Sequence, residues 1–467
     1  MDIKISYDRT NPKSIEAYAQ KLIGKTFQDI IDDDKVKEGT ARSSEDKRNK
    51  GNLGQIIEER FFHYACNSDS NPDFDEAGVE LKVTPYKVNP NGKKVAKERL
   101  ILTMIDYFSV VNENFETSHL WNKCKLILLV YYQYIKEVTL NVDYRINYAK
   151  LFTPPEQDLK IIKHDYEVIV GKIKAGKAHE LSEGDTMYLG AATKASTSED
   201  RRRQPFSDEL AKPRAFSFKS SYMTYVLNSY IIPEKNMYEP IIKNRLVDSF
   251  EDYVEKKISA FAGHTVNELC ENFNINAQKK PKNLEAMLAY RILGIKGNNA
   301  EEFVKANVVV KTIRIGKNNK IKESMSFPNF RFTEIINESW EGSTFESYLE
   351  QTRFMFVIYK VNEKDELVLK GCQFWNIPYK DLQTDVKCVW EKTVRVIKDG
   401  IKIVEINGKR YNNFPNASEN KVCHVRPHGK NALDTYPLPN GKEYTKQCFW
   451  LNNSYILSQL NPIFFEK

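Results

Sequence analysis

The sequence predicts a mixed α/β fold that occurs twice along the chain. Through the first half, apolar segments of strand length alternate with longer segments whose apolar residues recur at helical spacing. The second half repeats short stretches of the first at a constant separation, which is typical of a duplicated domain. A chain of 467 residues also exceeds what one hydrophobic core usually organises. We therefore predict two domains, residues 1–232 and 233–467.

The first predicted element is a helix. Asn11 and Pro12 favour a helix start, an apolar periodic stretch follows, and Gly24 ends it. The letters IGKT at 23–26 match the end of a phosphate-binding loop. However, Ala19 stands where that motif needs its first glycine, and a helix precedes it instead of a strand. A nucleoside-triphosphatase loop is therefore excluded.

The other elements of the first half follow from the same periodicities. They surround a predicted central sheet, in which the strand at 125–132 has the continuous apolar character of a strand buried on both faces. The predicted helices cover 52–65 and 159–173, the predicted strands cover 79–84, 100–107 and 125–132, and 214–232 is predicted to be a strand that runs into a helix.

Composition excludes several classes of protein. Hydrophobic residues make up 41% and aromatic residues 12% of the chain, as in a soluble globular protein. The longest apolar run, 126–132, is too short for a membrane span, and no export signal is present, so we predict a cytoplasmic location without a membrane partner. Seven cysteines occur singly, which predicts buried thiols and neither a zinc site nor disulfides. A net charge of +7 favours a polyanionic partner only mildly.

The segment PDFDEAGVELKVTP carries the candidate chemistry. Six residues separate Asp73 from Glu80, and strand alternation places Glu80 and Lys82 on one face. Phosphodiester hydrolysis needs a hard cation, an oriented water and compensation for negative charge. Asp73, Glu80 and the backbone carbonyl of Leu81 are predicted to hold Mg²⁺, and Lys82 to orient the water. The spacing alone is weak evidence for a nuclease site, because charged surface strands often contain a Glu-x-Lys pattern.

Four segments, in order, resemble the MutH family. They are KGNLGQIIE at 50–58, DFDEAGVELK at 73–82, LWNK at 120–123 and RAFSFKSSYM at 214–223. This family contains a mismatch-repair nicking enzyme and restriction endonucleases that recognise GATC. The resemblance implies the PD-(D/E)xK nuclease fold, double-stranded GATC as substrate, an acidic role for Glu58 near the metal, and support of the water or phosphate by Lys123.

The chain departs from the repair enzyme at two places. Asn122 stands where that enzyme has a histidine, and LGAATK at 189–194 stands where it has an Arg-Pro-Lys run that reads bases. The segments ENFETS at 113–118 and KAHELSEG at 177–184 instead resemble those of two-domain restriction enzymes. This favours a restriction enzyme over a repair nickase that depends on partner proteins. The residues predicted to contact DNA in the first half are Lys194, Arg201, Arg202, Arg203, Gln204, Arg214 and Lys219.

The second half is predicted to be an inactive copy. VVNENFE at 110–116 meets IINESWE at 335–341 without a gap. Alignment of the candidate strand puts Glu302, Val309 and Lys311 at the positions of Asp73, Glu80 and Lys82, and it puts Ala289 and Gln351 near those of Glu58 and Lys123. A single carboxylate binds Mg²⁺ too weakly for catalysis.

The segment HVRPHGKN at 424–431 resembles the base-reading segment that the first half lacks. Arg426 and His428 are therefore predicted to bind a second DNA site as part of an effector, with dimerisation or DNA looping as the consequence. Two alternatives stay open at this point. The second half could serve only as a packing partner, or the whole chain could be a DNA-binding module without catalysis, although the intact Asp73, Glu80 and Lys82 argue against the latter.

Overall fold

The computed structural model divides into two compact units. Unit 1 comprises Met1–Tyr238 and Glu301–Asn307, and unit 2 comprises Glu239–Ala300 and Val308–Lys467. The structure describes residues 6–38, 53–64, 71–195, 197, 199–232, 238–243, 249–275, 281, 283–297, 299–406 and 409–465. Residues 50–52 of the first family-like segment and the end of the helix predicted at 52–65 lie outside these ranges. No helix in the described ranges has both the length and the apolar character needed to cross a membrane.

Unit 1 contains two main sheets where the sequence predicted one central sheet. The first has the order β2-β1-β4-β5, with β1 parallel to β4, and the second has the order β3-β9-β6 and is antiparallel. A separate hairpin pairs β7 with β8. The strands are β1 (Glu80–Val88), β2 (Lys94–Ala96), β3 (Leu100–Met104), β4 (Ile127–Gln133), β5 (Ile146–Phe152), β6 (Leu189–Thr193), β7 (Arg202–Gln204), β8 (Ser207–Ala211) and β9 (Arg214–Phe218).

The helices of unit 1 match the predicted periodic segments. Asn11 caps the first helix by accepting a hydrogen bond from the Lys13 amide, and Gly24 follows it with a φ of 89°. The helices are α1 (Pro12–Ala19), α2 (Phe27–Glu38), α3 (Leu53–Ile56), α4 (Tyr107–Val110), α5 (His119–Cys124), α6 (Glu156–Lys174) and α7 (Ser220–Val226). A π-helical turn, Ile57–Phe61, continues α3.

One element of unit 1 comes from the second half of the sequence. Helix α11 (Glu301–Ala306) packs on α7, where Ser221 Oγ donates to the Lys305 carbonyl at 2.8 Å. Lys305 Nζ lies 2.7 Å from both Asp158 Oδ1 and Glu301 Oε1 and 4.3 Å from the centre of the Tyr225 ring. The Lys305 and Asp158 side chains are 1% and 2% exposed, so this is a buried ion pair of unit 1.

Unit 2 repeats the strand order of unit 1, except that its first sheet has no counterpart of β2 among the described residues. Its sheets are β10-β12-β13, with β10 parallel to β12, and β11-β19-β16, which is antiparallel. Aromatic rings such as Phe354, Phe356 and Trp375 fill its core. The strands are β10 (Val308–Ile315), β11 (Met325–Asn329), β12 (Arg353–Val361), β13 (Leu367–Trp375), β14 (Ile403–Ile406), β15 (Lys409–Asn412), β16 (Cys423–Pro427), β17 (Thr435–Pro437), β18 (Glu443–Thr445) and β19 (Gln447–Leu451).

The helices of unit 2 also follow the order of unit 1, with a long helix before β16 and a short one after β19. They are α8 (Phe250–Ser259), α9 (Val266–Asn272), α10 (Leu284–Ile292), α12 (Phe332–Ile335), α13 (Thr344–Gln351), α14 (Tyr379–Asp381), α15 (Lys387–Asp399) and α16 (Asn453–Gln459).

The duplication extends to individual hydrogen bonds. Ser118 caps α5 by accepting from the amide three residues later, and Ser343, 225 positions further on, caps α13 in the same way. Glu113 accepts a bond from the first amide of α5 at 3.3 Å, and Glu338 accepts one from the first amide of α13 at 3.2 Å. The repeat predicted from the sequence is therefore present in the fold.

The matching helix caps change the predicted counterpart of Lys123 in the second half of the chain. Counted from the two capping serines, the position of Lys123 on α5 is taken by Tyr348 on α13, and not by Gln351. Helix α13 ends at residue 351, whereas α5 already ends at residue 124. The extra residues of α13 therefore lie at its C-terminal end.

Candidate active site

The turn before β1 brings Asp73 beside the strand. Phe74 and Val79 exchange backbone hydrogen bonds of 2.9 and 3.2 Å, which closes a tight loop between them. Gly78 makes that loop possible, because its φ of 64° lies in the left-handed region that favours glycine. Asp73 Oδ2 consequently accepts a 2.8 Å hydrogen bond from the Leu81 amide.

Glu80 lies at the centre of the site. Its side chain is 2% exposed, and Lys82 Nζ donates to Oε1 at 2.7 Å, as strand alternation predicted. Lys123 Nζ reaches the same carboxylate from α5, at 3.4 Å from Oε1 and 3.2 Å from Oε2. The structure thus brings Lys123 to a strand residue 43 positions earlier, and two cations compensate one buried carboxylate.

Asp73 differs from Glu80 in that negative charges and burial dominate its surroundings. Burial raises the pKa of its carboxyl to about 6, and the negative charges of Glu80 and Glu58 add to this effect. The hydrogen bond from the Leu81 amide and the charge of Lys82 only partly oppose it. Two further carboxylates therefore act on Asp73, which is an electrostatic setting in which a divalent cation binds favourably.

Glu58 reaches the predicted set from a different element. It lies on the π-helical turn that continues α3, and its charge is felt by Asp73. Within the described ranges no three His, Cys, Asp or Glu side chains converge as a complete ligand cluster. Asp73, Glu80 and the backbone carbonyl of Leu81 remain as candidate oxygen ligands, a donor set that suits Mg²⁺ because this ion keeps several waters.

Some of the basic residues predicted to contact DNA are accessible. Two of them lie in β7 and two precede it in the chain, and all four side chains are exposed: Lys194, Arg201, Arg202 and Arg203. Exposed arginines are suited to phosphate and base contacts. The geometry therefore leaves these four available to a polyanion.

Three other predicted DNA-contacting residues are buried, and we correct their placement. Gln204 Nε2 donates to the Glu209 carbonyl at 2.6 Å, while its Oε1 accepts from the Ala178 amide at 2.7 Å. Arg214 is 1% exposed and donates to backbone carbonyls of β6 and of residue 181. Lys219 is 2% exposed and donates to the Thr186 carbonyl. These side chains stabilise unit 1 and do not present polar groups to a ligand in this structure.

In unit 2 the corresponding strand lacks the carboxylate. Val309 of β10 pairs with Phe354 at the place where Glu80 of β1 pairs with Ile127. Lys311 remains, and burial lowers the pKa of its ammonium. No carboxylate in the described part of the chain forms an ion pair with it.

The predicted DNA-contacting residues of unit 2 are exposed beside a tryptophan. The Arg426 guanidinium lies 4.5 Å from the centre of the Trp450 ring, and the His428 ring meets that indole edge to face at 5.3 Å. His428 also contacts Asn329 Oδ1 through Nδ1 at 3.2 Å. The sequence analysis did not single out Trp450; its position on β19, which pairs with β16, is the feature that identifies it.

Comparison with known proteins is consistent with this site. A family model described as DNA mismatch repair enzyme MutH matches residues 62–165, which include Asp73, Glu80, Lys82 and Lys123. DNA mismatch repair proteins MutH from Shewanella woodyi and Vibrio campbellii are 27% and 26% identical, covering 47% and 46% of this chain and 93% and 92% of their own.

A second relative is similar along its whole length. The type II restriction enzyme Sau3AI from Staphylococcus aureus is 37% identical over 97% of this chain and 98% of its own length. The likeness therefore includes both units, whereas the MutH proteins cover less than half of the chain. The chain belongs to the MutH-like family of type II restriction endonucleases.

Proposed function

We propose that this protein is a Mg²⁺-dependent type II restriction endonuclease that hydrolyses phosphodiester bonds in double-stranded DNA at GATC. The observation that carries the proposal is the buried Glu80 carboxylate held by Lys82 and Lys123, with Asp73 fixed alongside by the Leu81 amide. We propose GATC as the recognition sequence because the motifs resemble those of GATC-specific enzymes. We also propose a cytoplasmic location, because the proposed substrate is cellular DNA.

Asp73, Glu80 and the Leu81 carbonyl would hold the metal, and Glu58 would add negative charge. When bound, Mg²⁺ supplies polarisation of the phosphate and a water of lowered pKa. The residues fit this role because burial, together with the charges of Glu80 and Glu58, raises the pKa of Asp73, and a bound cation would stabilise its ionised form.

The two lysines perform the remaining tasks. Lys82 is held by its 2.7 Å bond to Glu80, so its ammonium is positioned to orient the attacking water. Lys123 is 14% exposed and makes longer bonds to the same carboxylate, which suits it to neutralise charge that builds up on the phosphate.

Recognition is proposed for the exposed basic residues Lys194, Arg201, Arg202 and Arg203. An arginine that reads guanine through two hydrogen bonds contributes roughly 1–3 kcal/mol of discrimination. Alanine changes at base-reading positions should therefore weaken binding to GATC more than binding to a scrambled duplex. Equal weakening of both would assign these residues to phosphate contacts.

The activity can be tested with purified protein, a plasmid that contains GATC, and no partner protein. With Mg²⁺ we expect double-strand cleavage into a ladder set by GATC positions, and no cleavage with EDTA. Nicking that requires added partners would favour the alternative, a MutH-like repair nickase. The likeness to Sau3AI over 97% of the chain favours restriction. Digestion of adenine- and cytosine-methylated plasmids would define the methylation sensitivity.

We further propose that unit 2 is a DNA-binding effector without catalysis. The support is the pairing of Arg426 and His428 with Trp450 on an exposed face, together with Val309 in place of a metal ligand. Binding of a second GATC must then couple to cleavage of the first. Plasmids with two sites, joined by DNA looping or protein dimerisation, should be cut faster than plasmids with one.

The coupling is measured as single-turnover cleavage at fixed salt, because phosphate contacts depend steeply on ionic strength. A short GATC duplex added in trans should accelerate cleavage of the one-site plasmid. The variants Arg426→Ala and His428→Ala should lose this stimulation and keep the basal rate. Equal rates on both plasmids would reduce unit 2 to a packing partner.

A further inference from the structure

The turn of the β7–β8 hairpin exposes an aromatic ring. Pro205 and Phe206 form this turn, and Phe206 is 73% exposed, the highest value for a large hydrophobic side chain in the described part of unit 1. Its φ is 64°, a left-handed conformation in which glycine or asparagine is usual and a bulky residue is disfavoured by about 1–2 kcal/mol. The positive φ closes the two-residue turn after Pro205, but a glycine would serve that turn better, and the exposed phenyl ring adds nothing to the core of unit 1, which points to a role with a ligand.

The hairpin is rigidly supported below that turn. Gln204 is 4% exposed and is anchored by the Ala178 amide, the Glu209 carbonyl and the His179 ring. The backbone of Phe206 lies so close to Gly176 that a Cβ there would be 2.5 Å from the Phe206 carbonyl oxygen. The backbone that carries the Phe206 ring is consequently fixed before any ligand arrives.

The surroundings of Phe206 indicate the kind of ligand. Arg201, Arg202 and Arg203 directly precede the turn and are exposed. The Tyr107 hydroxyl of α4 donates to the Lys212 carbonyl just after β8, so the hairpin adjoins the helix that leads to α5 and Lys123. Phe206 therefore lies on a hairpin that carries exposed arginines and is anchored to α4, and this combination complements a polyanion that also has apolar faces for stacking.

We propose that Phe206 is a wedge that inserts between adjacent base pairs of the bound duplex, while the neighbouring arginines contact its phosphates. Apolar wedges of this kind unstack a base step and bend the helix, which adds sequence preference through deformability. This inference rests on the proposed function, because it takes duplex DNA as the ligand.

The test uses full-length protein in Ca²⁺ and duplexes that contain GATC and its flanks, with 2-aminopurine placed at one position at a time. Wild-type protein should increase 2-aminopurine fluorescence several-fold at one step. Phe206→Ala and Phe206→Gly should abolish the increase and weaken binding about 10-fold. Because glycine suits the left-handed turn, Phe206→Gly should melt at the wild-type temperature or above, which separates lost insertion from misfolding.

Ile463→Ala, which removes another exposed apolar side chain, 58% exposed, is the matched control and should behave like the wild type. If wild-type protein binds and cleaves without a fluorescence increase at any step, and the Phe206 variants bind equally well, the wedge is refuted while the nuclease function stands. If the wild type neither binds nor cuts the duplex, both proposals fail.

Discussion

At the scale of single residues, one buried carboxylate organises the site. Glu80 receives both lysines, so each change in this set alters the charge balance felt by the others. We expect Asp73→Ala, Glu80→Ala and Lys82→Ala each to reduce cleavage by at least roughly 10²–10³-fold. Binding of a GATC duplex in Ca²⁺ should remain near the wild-type level. Single-turnover cleavage and a Ca²⁺ binding titration measure the two quantities.

Lys364→Ala is the control for that experiment, since this lysine is exposed in the turn between β12 and β13 of unit 2, outside the catalytic unit. It should cut at the wild-type rate. Near wild-type cleavage by any of the three site variants would remove that residue from the active site.

The residue scale also shows where sequence reasoning succeeds and where it stops. Strand alternation sufficed to place Glu80 and Lys82 together, because side-chain direction in a strand is a local property. Burial of Arg214 and Lys219 could not be predicted. Their charges are satisfied by backbone carbonyls that arrive from distant segments, and a sequence does not distinguish such a cation from an exposed one.

At the scale of elements, Asp165 joins α6 to the start of β6. Its carboxyl accepts hydrogen bonds from the amides of Met187, Tyr188 and Leu189 at 2.7–2.9 Å. Asp165→Ala would leave three buried amides without this acceptor. Since each unsatisfied amide is destabilising by about 1–3 kcal/mol, the free energy of unfolding should fall by roughly 3 kcal/mol or more. Urea denaturation of the full-length chain measures it.

The same residue predicts a pH dependence. Burial raises the pKa of Asp165 to about 6 from 3.8, despite the three amide bonds. The folded state therefore holds the proton more tightly, so the contribution of this group to stability is complete below about pH 4 and is lost as the pH rises through 6. The stability of the wild type relative to Asp165→Asn should decline across that window. A difference independent of pH would contradict the raised pKa.

Element types were predictable, but the sheets were not. The segments at 79–84 and 125–132 are strands as predicted, because period and composition are local signals. Division into two sheets depends on β3 pairing with β9, which lies more than 100 residues later and pairs with a register shift. No periodicity within either strand encodes that partner.

At the scale of the whole molecule, unit 1 depends on α11. Lys305 neutralises the buried Asp158, whose other oxygen accepts from the Tyr222 hydroxyl at 3.2 Å. Lys305→Met should destabilise unit 1 by roughly 3–5 kcal/mol, because it leaves a buried charge without its partner. Hydrogen exchange of the α7 amides in the full-length chain measures this change.

The double variant Asp158→Asn with Lys305→Met tests the cause. It removes both charges and should recover a large part of the lost protection. If it is as unstable as Lys305→Met alone, packing of the lysine stem is the cause and not its charge. A fragment of residues 1–238 should show the same instability, because it contains Asp158 without α11.

The repeat was visible in the sequence because short similar segments stayed in one register, as VVNENFE and IINESWE do. The placement of α11 in unit 1 was not visible, since 301–307 adjoins strand β10 of unit 2 in the chain. Its predicted counterpart of Asp73, Glu302, instead lies on a helix that packs against α7.

The location of α11 has a consequence for inheritance. A recombination event that replaced the second half of the gene would import a new residue 305 opposite an old residue 158. Unless the two were compatible, the product would carry an unmatched buried charge and fold poorly. We therefore expect the two halves to be inherited together, without recombination between them. We also expect substitutions at positions 158 and 305 to be correlated among homologous genes.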